Sequence, residues 1–66
     1  MQLTINGEIK EYVAPMMIGE LLEIMGLRKK YVAVERNREV VSYTQYDEVT
    51  LDDGDQLEIV TLVGGG

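Results

Sequence analysis

Few residues of this 66-residue chain could carry out chemistry themselves. The chain has no histidine and no cysteine, so it lacks the usual general base near neutral pH and any thiol nucleophile or thiolate metal ligand. Its single serine, Ser42, has no neighbour in the sequence that could activate the hydroxyl. The remaining distinctive group is the terminal carboxylate of Gly66. We therefore expect a protein on which partner enzymes act, and not an enzyme.

That carboxylate belongs to a run of three glycines, Gly64, Gly65 and Gly66, which we call the glycine tail. The tail follows an apolar segment that ends at Val63, without a polar spacer. Glycine allows a backbone to enter a channel too narrow for side chains. Three extended residues reach roughly 10 Å, enough to bring a carboxylate from a domain surface into a partner's active site. The residues therefore indicate a flexible tail that offers a carboxylate to a partner, with an idle frayed end as the alternative.

The segment before the tail alternates between apolar and polar residues, as a strand does. If Leu57 and Ile59 face a helix, the side chains between and beyond them face the other side of the sheet, which a single helix leaves uncovered. Exposed apolar residues beside a functional terminus are typical of a docking surface. The predicted partner-binding surface consists of Glu58, Val60, Leu62 and Val63.

The charged residues are unevenly distributed along the chain. The net charge of −6 argues against binding nucleic acid through its phosphates. Five of the six basic residues lie between Arg28 and Arg38, and seven acidic residues follow Arg38. These acids form either ordinary solvated faces or an acidic surface around the last strand that steers docking onto a basic partner. The segment "DDGD" at residues 52–55 lacks the ligand spacing of a calcium loop and indicates a turn instead.

The first half of the chain predicts a hairpin followed by a helix. Alternation predicts strands over residues 1–5 and 8–13, joined by Asn6-Gly7, a pair typical of a tight hairpin turn. An apolar stripe of four residues predicts a helix over residues 17–25. Gly26 suits the residue that closes a helix in the left-handed conformation. The start of the helix has no side-chain cap, and Gly19 weakens its first turn.

The second half predicts strands over residues 30–35, 38–41 and 56–63, with Asn37 in a turn. The irregular segment 43–48 between them carries Tyr46 as an anchor at the edge of the core. One main helix across a mixed sheet of four to five strands, with the first and last strands adjacent, is an α+β fold of the ubiquitin-like β-grasp type. This domain covers residues 1–63 and the flexible glycine tail covers residues 64–66. The predicted core consists of Leu3, Ile5, Ile18, Leu21, Leu22, Met25, Val32, Val34, Leu51, Leu57 and Ile59.

The sequence shows no sign of a membrane or secretory segment. No apolar run approaches the roughly 20 residues that span a bilayer, and the N-terminus has neither a basic start nor an apolar block. We therefore expect a soluble, cytoplasmic protein that binds no membrane, no nucleic acid, no metal and no cofactor of its own.

Three segments together resemble the ThiS family, the small ubiquitin-like sulfur carriers of thiamine biosynthesis. They are "INGE" at residues 5–8, "VERNREVV" at residues 34–41 and "DGDQLEIVTLVGGG" at residues 53–66. Any one of them alone is a weak signal, but as a set they are fairly specific. The resemblance covers essentially all 66 positions.

This resemblance implies a covalent role for the glycine tail. In the family, an E1-like adenylating enzyme of the ThiF type uses ATP and magnesium to convert the terminal carboxylate into an acyl-adenylate. Sulfur from a persulfide donor, such as a cysteine desulfurase or sulfurtransferase, then displaces AMP and leaves a thiocarboxylate. Thiazole synthase, of the ThiG type, accepts the sulfur. Carried over to this chain, Gly66 is the modified residue, and Gly64 and Gly65 thread into the partner sites.

Three other functions compete with this assignment. The small subunit of molybdopterin synthase also ends in two glycines and carries a thiocarboxylate, but it is longer and lacks the "VERN" segment. A ubiquitin-like modifier would instead form isopeptide bonds to lysines. A plain binding module would leave the glycine tail idle.

Overall fold

The computed structural model describes residues 1–62. The residues beyond them, which include the predicted last residue of the final strand and the glycine tail, lie outside the described residues. The elements in chain order are strands β1 (Gln2–Ile5) and β2 (Glu8–Glu11), helix α1 (Ile18–Ile24), a 3-10 turn (Lys29–Tyr31), strands β3 (Val32–Arg36) and β4 (Glu39–Val41), a second 3-10 turn (Tyr43–Gln45) and strand β5 (Gln56–Thr61).

The five strands form one mixed sheet in the order β2-β1-β5-β3-β4. The first and last strands are parallel neighbours, with Thr4 opposite Gln56 and Ile5 opposite Leu57. The other three pairings are antiparallel. Two parallel strands cannot be joined by a tight turn, so a long crossover connection is required, and α1 lies within it. The predicted α+β, β-grasp arrangement is therefore confirmed.

Two tight turns have the left-handed backbone that a two-residue hairpin requires. Asn6 and Gly7 have φ of 50° and 84°, which confirms the predicted turn between β1 and β2. Asn37 and Arg38 have φ of 51° and 71° between β3 and β4. The predicted strand over residues 38–41 therefore begins one residue later than expected, because Arg38 belongs to the turn.

Strand boundaries elsewhere also differ from the prediction by one or two residues, as two examples show. Strand β2 ends at Glu11, two residues short of the predicted end at 13. The strand predicted from residue 30 begins at Val32, because residues 29–31 form the first 3-10 turn. Both differences fall at element ends, where alternation gives the weakest signal.

The C-terminal end of α1 is closed as predicted. Gly26 has φ of 75°. Its N–H donates to the Glu23 carbonyl at 3.0 Å, and the Leu27 N–H donates to the Leu22 carbonyl at 2.9 Å. These two bonds form the Schellman motif, which satisfies carbonyl groups that the helix itself leaves unpaired.

The N-terminal end of α1 is capped by a distant part of the backbone. The N–H groups of Ile18 and Gly19 donate to the carbonyls of Val49 and Tyr46 at 3.2 and 2.8 Å. A Cβ atom at Gly19 would overlap the Asp47 carboxylate, so glycine leaves room for that side chain where it pairs with Lys29. The apparent weakness of the helix start in the sequence is thus resolved by tertiary contact.

The core lies between α1 and one face of the sheet. Ten of the eleven predicted core residues are buried, while Met25 is only half-buried and packs against the core. Met16 and Tyr46 complete it. Tyr46, predicted at the core edge, is only 2% exposed, and its hydroxyl donates to the Val32 carbonyl at 3.1 Å. This bond satisfies the one polar atom that the Tyr46 ring brings into the core.

Neither the helix nor the 3-10 turns of residues 1–62 have the length and apolar character that crossing a membrane requires.

Candidate functional site

Strand β5 presents opposite faces to the core and to solvent, as its alternation predicts. Leu57 and Ile59 are buried toward α1, whereas Glu58, Val60 and Leu62 are exposed. Val60 and Leu62 keep 57% and 51% of their surface accessible. The structure therefore places three of the four predicted docking residues on the uncovered side of β5. That a partner binds them stays a prediction, and the fourth, Val63, lies outside the described residues.

Strand β3 extends this uncovered surface. Ala33 lies opposite Val60, and Glu35 lies opposite Glu58. Both residues of β3 are exposed. We call the surface formed by these four residues and Leu62 the open face. Sequence reasoning missed Ala33 and Glu35, because only the register between β3 and β5 brings them beside the predicted residues.

The last described residue is fixed to the end of the sheet. The Leu62 N–H donates to the Tyr31 carbonyl at 2.6 Å, directly before the start of β3. This bond continues the pairing of β5 with β3 by one residue beyond Thr61, which lies opposite Val32. The predicted modified residue Gly66 and the predicted threading residues Gly64 and Gly65 lie outside the described residues. The last described residue, Leu62, is thus hydrogen-bonded to the end of the sheet.

The opposite end of β5 holds a cluster of polar side chains, which we call the polar cluster. Asp55 is 6% exposed and accepts hydrogen bonds from Arg36 Nε at 2.8 Å, Asn37 Nδ2 at 3.0 Å and the Asp52 N–H at 2.8 Å. Arg36 also donates to Asp52 at 2.9 Å through Nη2. Burial raises the pKa of the Asp55 carboxyl, but these hydrogen bonds and the Arg36 charge outweigh it and hold the pKa below 3.8.

The hydrogen bonds of the polar cluster and its turn connect separate elements of the fold. Asn37 Oδ1 accepts the Gln56 N–H at 2.9 Å, which joins the β3–β4 turn to β5. The Gly54 N–H donates to the Gln2 carbonyl at 2.7 Å, which joins the "DDGD" segment to β1. Gly54 has φ of 87°, so this segment is the turn that the sequence predicted. Within residues 1–62, no three His, Cys, Asp or Glu side chains are grouped so that they could hold a metal ion.

Ser42 lies far from any arrangement that would activate it. Its hydroxyl is exposed and forms a hydrogen bond with the Thr44 hydroxyl at 3.0 Å. A second hydroxyl is a poor general base, so this contact does not produce a nucleophile.

Comparison with known proteins identifies the family. The sequence signature of the ThiS family matches residues 3–66. The sulfur carrier protein ThiS of Bacillus subtilis is 43% identical over 97% of this chain and 98% of its own length. A solved crystal structure of the thiamine biosynthesis protein ThiS from Geobacter metallireducens covers 100% of both chains with a TM-score of 0.85 and 35% identity.

A second group of relatives is much longer. A thiazole synthase of Paramagnetospirillum magneticum is 47% identical over 100% of this chain, which corresponds to 20% of that protein. A thiazole synthase of Magnetococcus marinus shows the same coverage. The chain thus spans about one fifth of the length of these two relatives. The family signature, the same-length carrier and the shared fold agree, and the chain belongs to the ThiS family of ubiquitin-like sulfur carrier proteins.

Proposed function

We propose that this chain carries sulfur for thiamine biosynthesis on the carboxylate of Gly66. The observation that carries the proposal is the position of Leu62, which the Tyr31 carbonyl holds at the end of the sheet four residues before Gly66. A short glycine tail on a rigid mount suits delivery of a carboxylate into a narrow active site. The match to a sulfur carrier of the same length supports the nature of the cargo.

The proposed reaction begins with activation of the carboxylate. An ionised carboxylate repels nucleophiles and has no good leaving group, so an E1-like enzyme of the ThiF type, with ATP and magnesium, first converts it. The carboxylate oxygen of Gly66 attacks the α-phosphate, pyrophosphate leaves, and an acyl-adenylate forms. This chain contains no His and no Cys, so the partner supplies the catalytic groups.

Sulfur enters in the second stage. A persulfide on a cysteine desulfurase or sulfurtransferase attacks the activated carbonyl, and AMP leaves. A thiol of a partner then attacks the resulting acyl disulfide, which releases the thiocarboxylate on Gly66 and forms a disulfide on the partner side. The chain acts as a co-substrate in both stages and is not the enzyme.

Thiazole synthase of the ThiG type is the proposed acceptor. In the two longer relatives, the segment that matches this chain belongs to a protein named thiazole synthase. A carrier and its acceptor in one polypeptide are consistent with a direct transfer between them. The partners first meet the open face through Glu58, Val60 and Leu62, while Val63, Gly64 and Gly65 follow into the site. A cytoplasmic location for these steps stays a prediction.

The test is an intact mass measurement after incubation with the adenylating enzyme, ATP, magnesium and a persulfide donor. We expect a gain equal to the replacement of one oxygen by one sulfur, located on Gly66 by fragmentation. Omission of ATP is the control and must abolish the gain. An unchanged mass in the complete mixture would contradict the proposal.

The competing functions differ in which protein receives the sulfur, or in whether the Gly66 carboxylate is joined to a lysine instead. The thiocarboxylated chain is mixed with thiazole synthase or with the large subunit of molybdopterin synthase. Delivery to the latter alone would reassign the pathway. Higher-mass adducts on lysines that depend on Gly66 would indicate a protein modifier instead.

A further inference from the structure

Strand β2 lies at one edge of the sheet and has no buried side chain. All four of its residues are exposed, including Ile9, which keeps 66% of its surface accessible. Ile9 lies opposite Thr4 and points to the same side of the sheet as the open face, whereas Glu8 and Lys10 point to the helix side. Helix α1 therefore leaves both faces of β2 uncovered, and within residues 1–62 the strand pairs with β1 alone.

The outer edge of β2 presents backbone groups that can pair with a further strand. Met1 and Tyr12 exchange two hydrogen bonds of 2.8 Å, so they form a hydrogen-bonded pair that continues the β1–β2 ladder. Such pairs alternate with non-bonded pairs along antiparallel strands, so Glu8 and Lys10 also bond toward β1. The N–H and carbonyl of Ile9, which lies between them, consequently point away from β1. They lie where β2 ends the sheet.

The side chains of β2 are complementary to a second copy of the same strand. When two copies run antiparallel with Ile9 opposite Ile9, each Glu8 lies opposite the Lys10 of the other copy. Two pairs of opposite charge then form on the helix side and one apolar pair on the other face, and pairs of both kinds stabilise a ladder. No ion pair within residues 1–62 includes Glu8 or Lys10. Both are therefore available to the second copy.

Neighbouring registers of the same two strands are less favourable. A shift that centres the pairing on Lys10 brings two ammonium groups together, and one that centres it on Glu11 brings two carboxylates together. The opposite edge of the sheet also lacks the pattern. Strand β4 has three residues, and pairing about Val40 would place the charged Glu39 opposite the apolar Val41. The charges thus favour β2 and a single register.

We propose that two copies of this chain associate through β2 in a two-fold symmetric dimer with Ile9 opposite Ile9. The two sheets join into one of ten strands, five from each copy. The two Ile9 residues exchange both backbone hydrogen bonds at the symmetry axis. Since β1 lies between β2 and β5, the dimer does not use the strand that leads to the glycine tail. Strands this short bury little area, so the dimer is weak and forms as the concentration rises.

The first test is sedimentation velocity of the full chain between about 20 μM and about 1 mM, the range in which a dimer with a Kd of ~0.1 mM forms. Ile9→Lys brings two ammonium groups to the symmetry axis, and we expect it to raise the Kd about tenfold. The matched control is Val40→Lys, because Val40 is also exposed and lies opposite Glu35 at the other edge. Its Kd should stay within about twofold of the wild type. A wild-type chain that is monomeric throughout, or equal effects of the two variants, would overturn the proposal.

The second test exchanges the charges of the two ion pairs. Lys10→Glu places carboxylates opposite Glu8 of the other copy, and we expect the Kd to rise about fivefold, since two favourable pairs become repulsive. The double variant E8K/K10E makes the strands complementary again and should return the Kd to within about twofold of the wild type. Circular dichroism checks that both variants are folded. If the double variant binds no better than Lys10→Glu, the proposed charge pairing is wrong.

The third test determines the register. The chain has no cysteine, so a single introduced cysteine reports only on contacts between copies. In the proposed dimer, Ile9→Cys places two Cα atoms about 5.5 Å apart, which a disulfide can span. Glu11→Cys places them about 13 Å apart along the strand, which a disulfide cannot span. We expect Ile9→Cys to cross-link faster at about 1 mM under mild oxidation. Faster cross-linking of Glu11→Cys would refute the proposed dimer.

Discussion

The two ends of strand β5 differ in how their residues are used. At the start of the strand, the polar cluster buries Asp55 among Arg36, Asn37 and the Asp52 N–H. At the far end, about 16 Å away at ~3.3 Å per residue, Val60 is exposed and makes no such contacts. Both ends belong to segments that resemble the ThiS family. The difference indicates that Arg36, Asn37 and Asp55 maintain the fold. In the proposed function, the end that leads to the glycine tail serves partners.

Deletion of Gly65 and Gly66 should distinguish the roles of the two ends of β5 most clearly. We expect complete loss of sulfur loading, because the carboxylate would end two residues, or about 7 Å, short of the partner's reactive centre. The melting temperature should not change, because the deleted residues lie beyond the core and the polar cluster. Mass spectrometry after the loading reaction measures the first effect and circular dichroism the second. Normal loading of the shortened chain would show that the tail is idle.

The next largest effect is expected at the polar cluster. Asp55→Ala removes the acceptor of three hydrogen bonds and leaves the partly buried Arg36 with one fewer partner, so we expect a loss of about 2 kcal/mol in the free energy of unfolding. Urea unfolding measures it. At a temperature where the variant is folded, sulfur loading should match the wild type.

The control for this variant is Asp52→Ala. Asp52 is 79% exposed in its side chain and contributes one exposed ion pair, so the loss should stay below about 1 kcal/mol. If both variants lose the same stability, the burial of Asp55 is not what makes the polar cluster important. If Asp55→Ala abolishes sulfur loading although it is folded, then the assignment of one end of β5 to the fold and the other to partners is wrong.

A smaller effect on the free energy of unfolding is expected when the pH is lowered. The pKa of Asp55 is lower in the folded protein than its ordinary value of 3.8. Its contribution to stability is therefore fully present above pH 3.8 and is lost as the pH falls through the lower pKa of the folded state. Urea unfolding at a series of acidic pH values should show a decrease that is weaker in Asp55→Asn. An identical decrease in the two proteins would assign the acid sensitivity to other carboxyl groups.

The sequence predicted one end of β5 better than the other for a physical reason. Alternation is local, so it correctly placed Val60 and Leu62 opposite the buried face. The role of Gly26 was equally predictable from the sequence, since a left-handed helix end favours a residue without a Cβ. Such signals depend only on neighbours along the chain.

The features around β5 and the helix start that the sequence did not predict depend on contacts between distant segments. Glu35 lies opposite Glu58 only through the register of β3 and β5. The carbonyls of Tyr46 and Val49 cap α1 only because the loop returns to the helix start. An arginine and an aspartate can pair when a fold brings them together, so a pairing of Asp55 with Arg36 was conceivable from the sequence. Their separation of 19 residues along the chain, however, does not show that the two side chains meet.

The smallest expected effect lies in the turn beside the polar cluster. Arg38 has φ of 71°, a conformation that costs a residue with a Cβ roughly 1–2 kcal/mol. Arg38→Gly removes this strain but gives the unfolded chain more freedom, which offsets up to about 1 kcal/mol. We therefore expect a gain of about 0.5 kcal/mol in the free energy of unfolding, and a similar or smaller gain for Arg38→Asn, since asparagine tolerates the left-handed region. Urea unfolding of the three proteins side by side measures the difference. A clear loss in both variants would show that the Arg38 side chain makes a stabilising contribution larger than its backbone strain, and would add this turn to the residues that maintain the fold.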